Sequence, residues 1–100
     1  MPQIKHMVIL KFKPSVTQET IDDIFRQLAD LQNKIGGIMD YSGGPYSSGE
    51  GLNDGYTHGF CMTFSDAAAR DAYLPHPDHE VVKGNIIPKI DGVIAFDYEC

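Results

Sequence analysis

The most informative stretch of the sequence, residues 56–79, is YTHGFCMTFSDAAARDAYLPHPDH. Its first part alternates, so the mostly apolar side chains at even-numbered positions from 56 to 64 would share one face of a strand. Pro75 and Pro77 then divide a helical segment in two, because proline fits the first turn of a helix but not its interior. The stretch contains three of the four histidines: His58, His76 and His79. It is therefore predicted to supply a core strand and a candidate site.

Upstream of this stretch, the sequence predicts a strand followed by a helix. Residues 3–12 are rich in β-branched and large apolar side chains, which favour strands. Between about residues 17 and 34, apolar side chains recur three or four positions apart, as on one face of an amphipathic helix. Ser15 or Thr17 is predicted to cap the start of this helix, and Gly36-Gly37 to end it.

The remaining segments complete an alternation of strands and helices. Residues 38–43 predict a short edge strand, residues 44–55 a loop rich in Gly and Ser, and residues 92–98 the last strand. The order strand, helix, strand, strand, helix, strand favours an α+β, ferredoxin-like βαββαβ protomer, with both helices on one face of an antiparallel sheet. The first strand would lie between the third and the fourth. Residues 1–100 are thus predicted to form one domain.

The composition excludes several classes of function. The chain has 100 residues, of which 42% are hydrophobic and 22% charged, so an ordinary folded domain is expected. A net charge of −6 disfavours binding to nucleic acid or to an anionic membrane, because both require basic surface. The sequence shows no signal-peptide pattern or long apolar run, and its two cysteines do not resemble a disulfide framework. A cytoplasmic protein is therefore expected.

The sheet face opposite the helices is predicted to be apolar. Alternation places side chains from three strands on that face, and the main ones are Met7, Ile9, Cys61, Ile94 and Phe96. A face this apolar is unfavourable in contact with water. The simplest cover is the same face of a second copy, so we expect a two-fold symmetric homodimer with the two sheets packed together.

The helix-covered face is predicted to hold His6, His58 and Asp97. Antiparallel pairing brings the end of the last strand beside the start of the first, so Asp97 and His6 are expected to be neighbours. A carboxylate beside an imidazole fixes its tautomer, and a phenol donates hydrogen bonds to a developing oxyanion. With His79 or His6 as base, Tyr73 as donor and Asp97 orienting an imidazole, the group would suit proton abstraction beside a carbonyl.

Each of these residues also has a purely structural interpretation. A histidine on an inner face is commonly a hydrogen-bonded core residue, and Tyr73 would also fit the edge of the core. His76, before Pro77, is expected to start a helix. His76 and His79 make one pair where zinc sites have two, so no metal is predicted. Cys61 lacks an activating neighbour, and the Gly-rich loop lacks a phosphate-binding motif.

Several short motifs span essentially the whole chain, and they are Lys5–Phe12, Gly55–His58, Thr63-Phe64, Tyr73 with His76–His79, and Phe96–Tyr98. In order and spacing they resemble the motifs of the stress-responsive dimeric α/β-barrel domain family. The resemblance implies a ferredoxin-like protomer that pairs sheet to sheet and so forms a dimeric α/β barrel. The loop at 41–54 departs from the plant members of the family, since it lacks their Trp-Gly pair.

The resemblance also implies a function. The family includes a polyketide cyclase that performs an intramolecular aldol reaction without a cofactor, and plant stress proteins without a defined reaction. By this resemblance Tyr73 and His79 carry the chemistry, and Asp97 lies near them. The other residues expected to line the pocket are His6, Val8, Phe25, Leu28, His58, Phe60 and Leu74. We therefore expect a cofactor-independent cyclase or lyase for a small β-keto or aromatic compound, or else a non-enzymatic stress-response protein that binds small ligands or forms oligomers.

Overall fold

The computed structural model describes residues 2–100 of the chain. In chain order the elements are β1 (Ile4–Phe12), α1 (Gln18–Lys34), β2 (Ile38–Pro45), β3 (His58–Phe64), α2 (Ala67–Tyr73), α3 (Pro77–Ile86), a 3-10 turn (Ile87–Lys89) and β4 (Ile90–Glu99). The strands form one antiparallel sheet in the order β2-β3-β1-β4. The ferredoxin-like fold predicted from the sequence is confirmed.

The central strand β1 separates the two faces of the sheet by the alternation of its side chains. Those that face the helices are at most 8% exposed, and they are Ile4, His6, Val8, Leu10 and Phe12. Met7 and Ile9, which lie between them, are 42% and 38% exposed. A strand has a side-chain period of two, so the sequence pattern predicted both faces correctly.

Helix α1 covers the inner face of the sheet with one apolar stripe. Its buried residues are Ile21, Ile24, Leu28 and Leu31, and burying each side chain contributes roughly 1.5–3 kcal/mol to folding. The Thr17 side chain accepts a hydrogen bond from the backbone N–H of Thr20 at 3.2 Å. Of the two predicted caps, Thr17 is therefore the one used. No helix within residues 2–100 has the length and apolar character needed to cross a membrane.

Two strands are longer than predicted because backbone pairing, rather than local composition, sets their ends. β2 continues into the Gly-rich segment, since its pairing with β3 extends to Pro45 opposite His58. β4 begins at Ile90, opposite Phe12, after a register shift in its pairing with β1. Neither extension shows in a single sequence, because each depends on a partner strand distant along the chain.

The other face of the sheet is uncovered in the protomer. Its exposed large side chains are Met7, Ile9, Ile94, Phe96 and Tyr98, and we refer to them as the outer apolar face. Met7 pairs with Phe96, and Ile9 with Ile94, across β1 and β4, so these side chains are neighbours. Phe96 is the most exposed of the five, at 64%. The free surface is as apolar as the sequence pattern predicted.

Candidate active site

A cavity of about 300 Å³ lies between the inner face of the sheet and the helices. Its walls come from β1, β3, β4, all three α-helices and the 3-10 turn, and most of the lining side chains are apolar. The polar residues that line it, within residues 2–100, are His6, Tyr73, His79 and Lys83. Lys83 is the one permanently charged side chain among them, and no carboxylate of residues 2–100 lines the cavity. This lining fits a small, largely apolar molecule with a neutral or anionic polar group.

His79 lies in the first turn of α3, where two prolines shape the chain. Pro75 and Pro77 separate α2 from α3, so the Leu74 carbonyl at the junction accepts a hydrogen bond from His79 Nδ1, at 2.9 Å. A carbonyl only accepts, so Nδ1 carries the proton and Nε2 keeps its lone pair. Burial lowers the pKa of His79 below its ordinary value, and the opposing effect of the Leu74 bond does not cancel it. The ring is therefore neutral at pH 7 and able to accept a proton.

Tyr73, the last residue of α2, is stacked beside His79. The two ring centroids are 4.2 Å apart with the planes inclined by 31°, and Tyr73 is only 1% exposed. Burial, with a smaller contribution from Tyr41, raises the pKa of Tyr73 well above its ordinary value. The phenol therefore stays protonated and can donate a hydrogen bond to an oxygen in the cavity.

His6 forms a second oriented imidazole. Its Nδ1 lies 2.6 Å from Asp97 Oδ1, because β1 and β4 pair these two residues directly. Burial raises the pKa of Asp97, but hydrogen bonds from His6 and Arg70 outweigh it, so the carboxyl is ionised at pH 7. An ionised carboxylate only accepts, so His6 Nδ1 is the donor. Asp97 thus orients His6, as its predicted neighbour, while a backbone carbonyl orients His79.

Most of the residues predicted to form the pocket line this cavity, and two do not. The lining includes His6, Val8, Leu28, Phe60, Tyr73, Leu74 and His79. Phe25 and His58 lie elsewhere, with their rings 5.6 Å apart. His58 pairs with Leu10, four residues along β1 from His6, which corresponds to about 13 Å at 3.3–3.4 Å per residue. Alternation predicted the correct face of the sheet for His58, but it did not show that His58 lies outside this cavity.

His58 borders a second cavity, of about 500 Å³, near the edge strand β2. This cavity reaches neither Tyr73 nor His79. Burial lowers the pKa of His58, and its Nδ1 is 2.9 Å from the Thr57 hydroxyl. Of these two cavities, we take the one of about 300 Å³ as the candidate site because it brings two imidazoles and a phenol together.

Two residues of the candidate site were missed by sequence reasoning. Arg70 donates to Asp97 from α2 at 2.7 Å, and Lys83 lines the cavity from α3. Both follow a spacing that was available: Arg70 precedes Tyr73 by three positions, and Lys83 follows His79 by four. Residues at these separations share a helix face, so the helix face of each residue was predictable, although the contact of Arg70 with Asp97 was not.

A ferredoxin-like sheet with an inner cavity that holds two histidines and a tyrosine defines a small α/β-barrel protein. The family model "Stress responsive A/B Barrel Domain" matches residues 4–100, and the chain belongs to this family. The stress-response A/B barrel protein HS1 of Arabidopsis thaliana is 32% identical over 96% of this chain and 88% of its own. Olivetolic acid cyclase of Cannabis sativa is 29% identical over 95% and 94% of the two chains.

Solved structures show the same fold. A dimeric ferredoxin-like protein of unknown function from Jannaschia superposes with a TM-score of 0.87, at 28% identity, over 98% of this chain and 99% of its own. A hydroxynitrile lyase from Passiflora edulis superposes with a TM-score of 0.91 over 98% and 93% of the two chains, at 22% identity. The likeness to the lyase concerns the fold alone. The proteins similar to this chain at 28–29% identity therefore include a named enzyme and a protein described as dimeric.

Proposed function

We propose that the chain is a cofactor-independent acid–base enzyme that resembles an aldol-type polyketide cyclase. The observation that carries the proposal is the stacked pair Tyr73 and His79, which puts a protonated phenol beside a neutral imidazole in one apolar cavity. A base and a hydrogen-bond donor side by side are what enolate chemistry requires. The relation to olivetolic acid cyclase, over nearly the full length of both chains, supports the same class of reaction.

The proposed reaction begins with proton transfer to His79. Nε2 takes a proton from a carbon beside a ketone, and the electron pair of that C–H bond moves into an enolate whose oxygen accepts a hydrogen bond from Tyr73. The enolate carbon then attacks a second carbonyl of the same molecule and forms a C–C bond. The imidazolium returns its proton to the new alkoxide, which leaves a cyclic β-hydroxy ketone. Atoms and charge balance, and no cofactor takes part.

The lining of the cavity supports a β-keto acid as the substrate class. Apolar walls would receive the carbon chain, and Lys83 adds a positive charge to a lining that includes no carboxylate of residues 2–100. Lys83 is four residues from His79 on α3, on the same helix face, and its charge contributes to lowering the pKa of His79. Lys83 Nζ also lies 3.2 Å from Glu80 Oε1, with about half of each side chain exposed. A substrate carboxylate would therefore bind the ammonium in competition with Glu80, with the chain toward Tyr73.

The test is turnover of linear β-keto acids by the purified protein, followed by mass spectrometry of cyclised products. We expect His79→Ala and Tyr73→Phe each to reduce kcat by about 10²–10⁴, the usual contribution of a positioned acid or base. Val81→Ala is the matched control, because Val81 lies on α3 but is 66% exposed and outside the lining. Cyclisation at an unchanged rate in His79→Ala would reject His79 as the base.

A second candidate function is non-enzymatic binding of small ligands. The relation to the stress-response protein HS1 supports it, as does an apolar cavity that would hold a ligand without reacting. Binding of β-keto acids or aromatic acids, measured by calorimetry, without any product would favour this function. The His79→Ala variant helps to separate the enzyme from the binding protein. It should retain most of the affinity for the ligand, because the apolar contacts remain, but an enzyme would lose turnover.

We also infer that the chain forms a homodimer through its outer apolar face. Large apolar side chains with high exposure favour burial against a partner. A related structure at 28% identity is described as dimeric. In this arrangement Met7, Ile9, Ile94 and Phe96 of one copy contact the same face of the other, with the half-buried Cys61 beside them.

A further inference from the structure

Arg70, on α2, is linked to the candidate site through Asp97. Its Nη1 donates to Asp97 Oδ2 at 2.7 Å, while His6 Nδ1 donates to Oδ1 of the same carboxylate at 2.6 Å. Charge-assisted hydrogen bonds therefore run from α2 through β4 to β1. Arg70 does not line the cavity, and its side chain is 23% exposed. It can influence a ligand only through the carboxylate and the imidazole.

We propose that Arg70 is a positioning residue that holds the Asp97 carboxylate and, through it, keeps the His6 ring in one tautomer and orientation. The proposal rests on the proposed function in so far as it concerns the same cavity. It gives a role to a residue that touches neither ligand nor cavity, and it explains why both oxygens of Asp97 are used.

The need for a second bond follows from the torsion of the carboxylate. Rotation about the last side-chain bond of an aspartate has broad minima, so one hydrogen bond from His6 does not fix the plane of the group. The bond from Arg70 to the other oxygen restrains that rotation. Arg70 is itself restrained, because its Nε donates to Asp71 Oδ1 at 2.7 Å. Asp71 therefore restrains Arg70, Arg70 restrains Asp97, and Asp97 restrains His6.

The position of Arg70 along α2 links this restraint to Tyr73. The two residues are three apart, so they lie on adjacent parts of one helix face. The Tyr73 ring centroid is 6.0 Å from that of His6. One turn of α2 thus determines the position of the Tyr73 phenol and, through Asp97, the orientation of the neighbouring His6 imidazole. The competing explanation is that Arg70 only ties α2 to β4, and in that case His6 would keep its tautomer without it.

Nuclear magnetic resonance of the ring nitrogens of His6 distinguishes these explanations without any substrate. In the full-length protein labelled with ¹⁵N, we expect His6 to show one tautomer with a low-field, slowly exchanging Nδ1 proton. In Arg70→Gln, that proton should exchange with water on the order of tenfold faster, as expected for the loss of a hydrogen bond to a charged group, and the ring should show mixed tautomers. Arg70→Lys, which keeps the charge, should restore part of the protection.

Three further variants complete the experiment. Arg70→Met keeps the aliphatic stem and removes the donors, and it replaces Arg70→Gln if that variant does not fold. Arg26→Gln is the matched control, since Arg26 is an exposed arginine on α1, and it should leave His6 unchanged. Asp71→Asn should give a smaller effect than Arg70→Gln. A folded Arg70→Gln or Arg70→Met variant with the wild-type tautomer and proton exchange would overturn the proposal.

The result of this experiment can be distinguished from the result of the turnover test of the proposed function. If the protein turns over no β-keto acid, the His6 spectra still decide whether Arg70 positions the ring. If turnover is found, Arg70→Gln should lower kcat more than it raises KM, because it alters the orientation of a cavity group and removes no ligand contact. A rise in KM alone would instead indicate that Arg70 binds the ligand, against the proposal.

Discussion

His6 and His79 line one cavity, but different groups fix their rings. The Leu74 carbonyl holds Nδ1 of His79, and the Asp97 carboxylate holds Nδ1 of His6. Within residues 2–100, neither Nε2 has a hydrogen-bond partner. The Tyr73 ring lies 4.2 Å from that of His79 and 6.0 Å from that of His6, and its phenol supplies a hydrogen-bond donor. The neutral imidazole of His79 and the phenol of Tyr73 supply an acceptor and a donor, which suit the β-keto acid proposed as substrate.

The charge of Asp97 should make the stability of the protein depend on pH in one direction. Its pKa in the folded protein lies below the unfolded value of about 3.9. A depressed pKa contributes stability above the unfolded value, and the contribution is lost as the pH falls through the folded value. We expect Asp97→Asn to lower the free energy of unfolding by about 1.5–3 kcal/mol at pH 7, and the difference to shrink below about pH 4. Urea unfolding across this range measures it.

Asp91→Asn is the control for that experiment, because Asp91 is an exposed aspartate of the same strand. It should change the unfolding free energy little at any pH. A penalty for Asp97→Asn that is equal at pH 7 and at pH 2 would show that the carboxylate contributes no charge-dependent stability.

At the residue scale, a contact set by strand pairing could be predicted from the sequence, and a contact set by helix packing could not. The His6–Asp97 pair followed from strand alternation and antiparallel pairing, although the residues are 91 positions apart. The contact between Arg70 and Asp97 did not, because it depends on how closely α2 packs over β4, and periodicity carries no information about that distance. The same limit explains His58, whose face was correct and whose position along the strand relative to the cavity was not.

At the scale of elements, the turn after α1 depends on one glycine. Gly37 has φ of +90°, and a Cβ there would lie 2.6 Å from Cβ of Ala69 on α2. Its carbonyl also accepts from Ser65 N–H at 2.9 Å, which ties the turn to the end of β3. We expect Gly37→Ala to destabilise the fold by about 1–3 kcal/mol, as overpacking does, because either the turn or α2 must move. Thermal and urea unfolding would measure the loss.

The neighbouring glycine offers a matched control. A Cβ at Gly36 meets nothing within 4 Å, and Gly36 does not have a positive φ. Gly36→Ala should therefore leave the unfolding free energy nearly unchanged. Equal stability of the two variants would contradict the conclusion that this turn requires glycine at position 37. The sequence showed that Gly36-Gly37 ends the helix, but it did not show which glycine was required.

At the scale of the whole molecule, the outer apolar face should determine the oligomeric state. Phe96 is 64% exposed in the protomer, so replacing it should not disturb the inner core. We expect Phe96→Glu to convert a dimer into a folded monomer, because it places two like charges near each other in a symmetric apolar interface. Sedimentation at micromolar concentration, with circular dichroism to confirm folding, measures the change.

Val81→Glu is the control for the dimer experiment. Val81 is equally exposed, at 66%, but lies on α3 and not on the sheet. It should leave the oligomeric state unchanged. Wild-type protein that sediments as a monomer, or a Phe96→Glu variant that remains a dimer, would contradict the proposed interface.

The alternation along β1 has a consequence for how such a dimer would respond to its ligand. His6 points to the cavity and Met7, the next residue, to the outer apolar face. In a sheet-to-sheet dimer the two cavities would therefore lie on the two sides of the dimer remote from the interface, with both sheets between them. Neither site would contain a group from the other copy. Filling one should leave the affinity of the other unchanged, and the binding isotherm should be hyperbolic, without cooperativity.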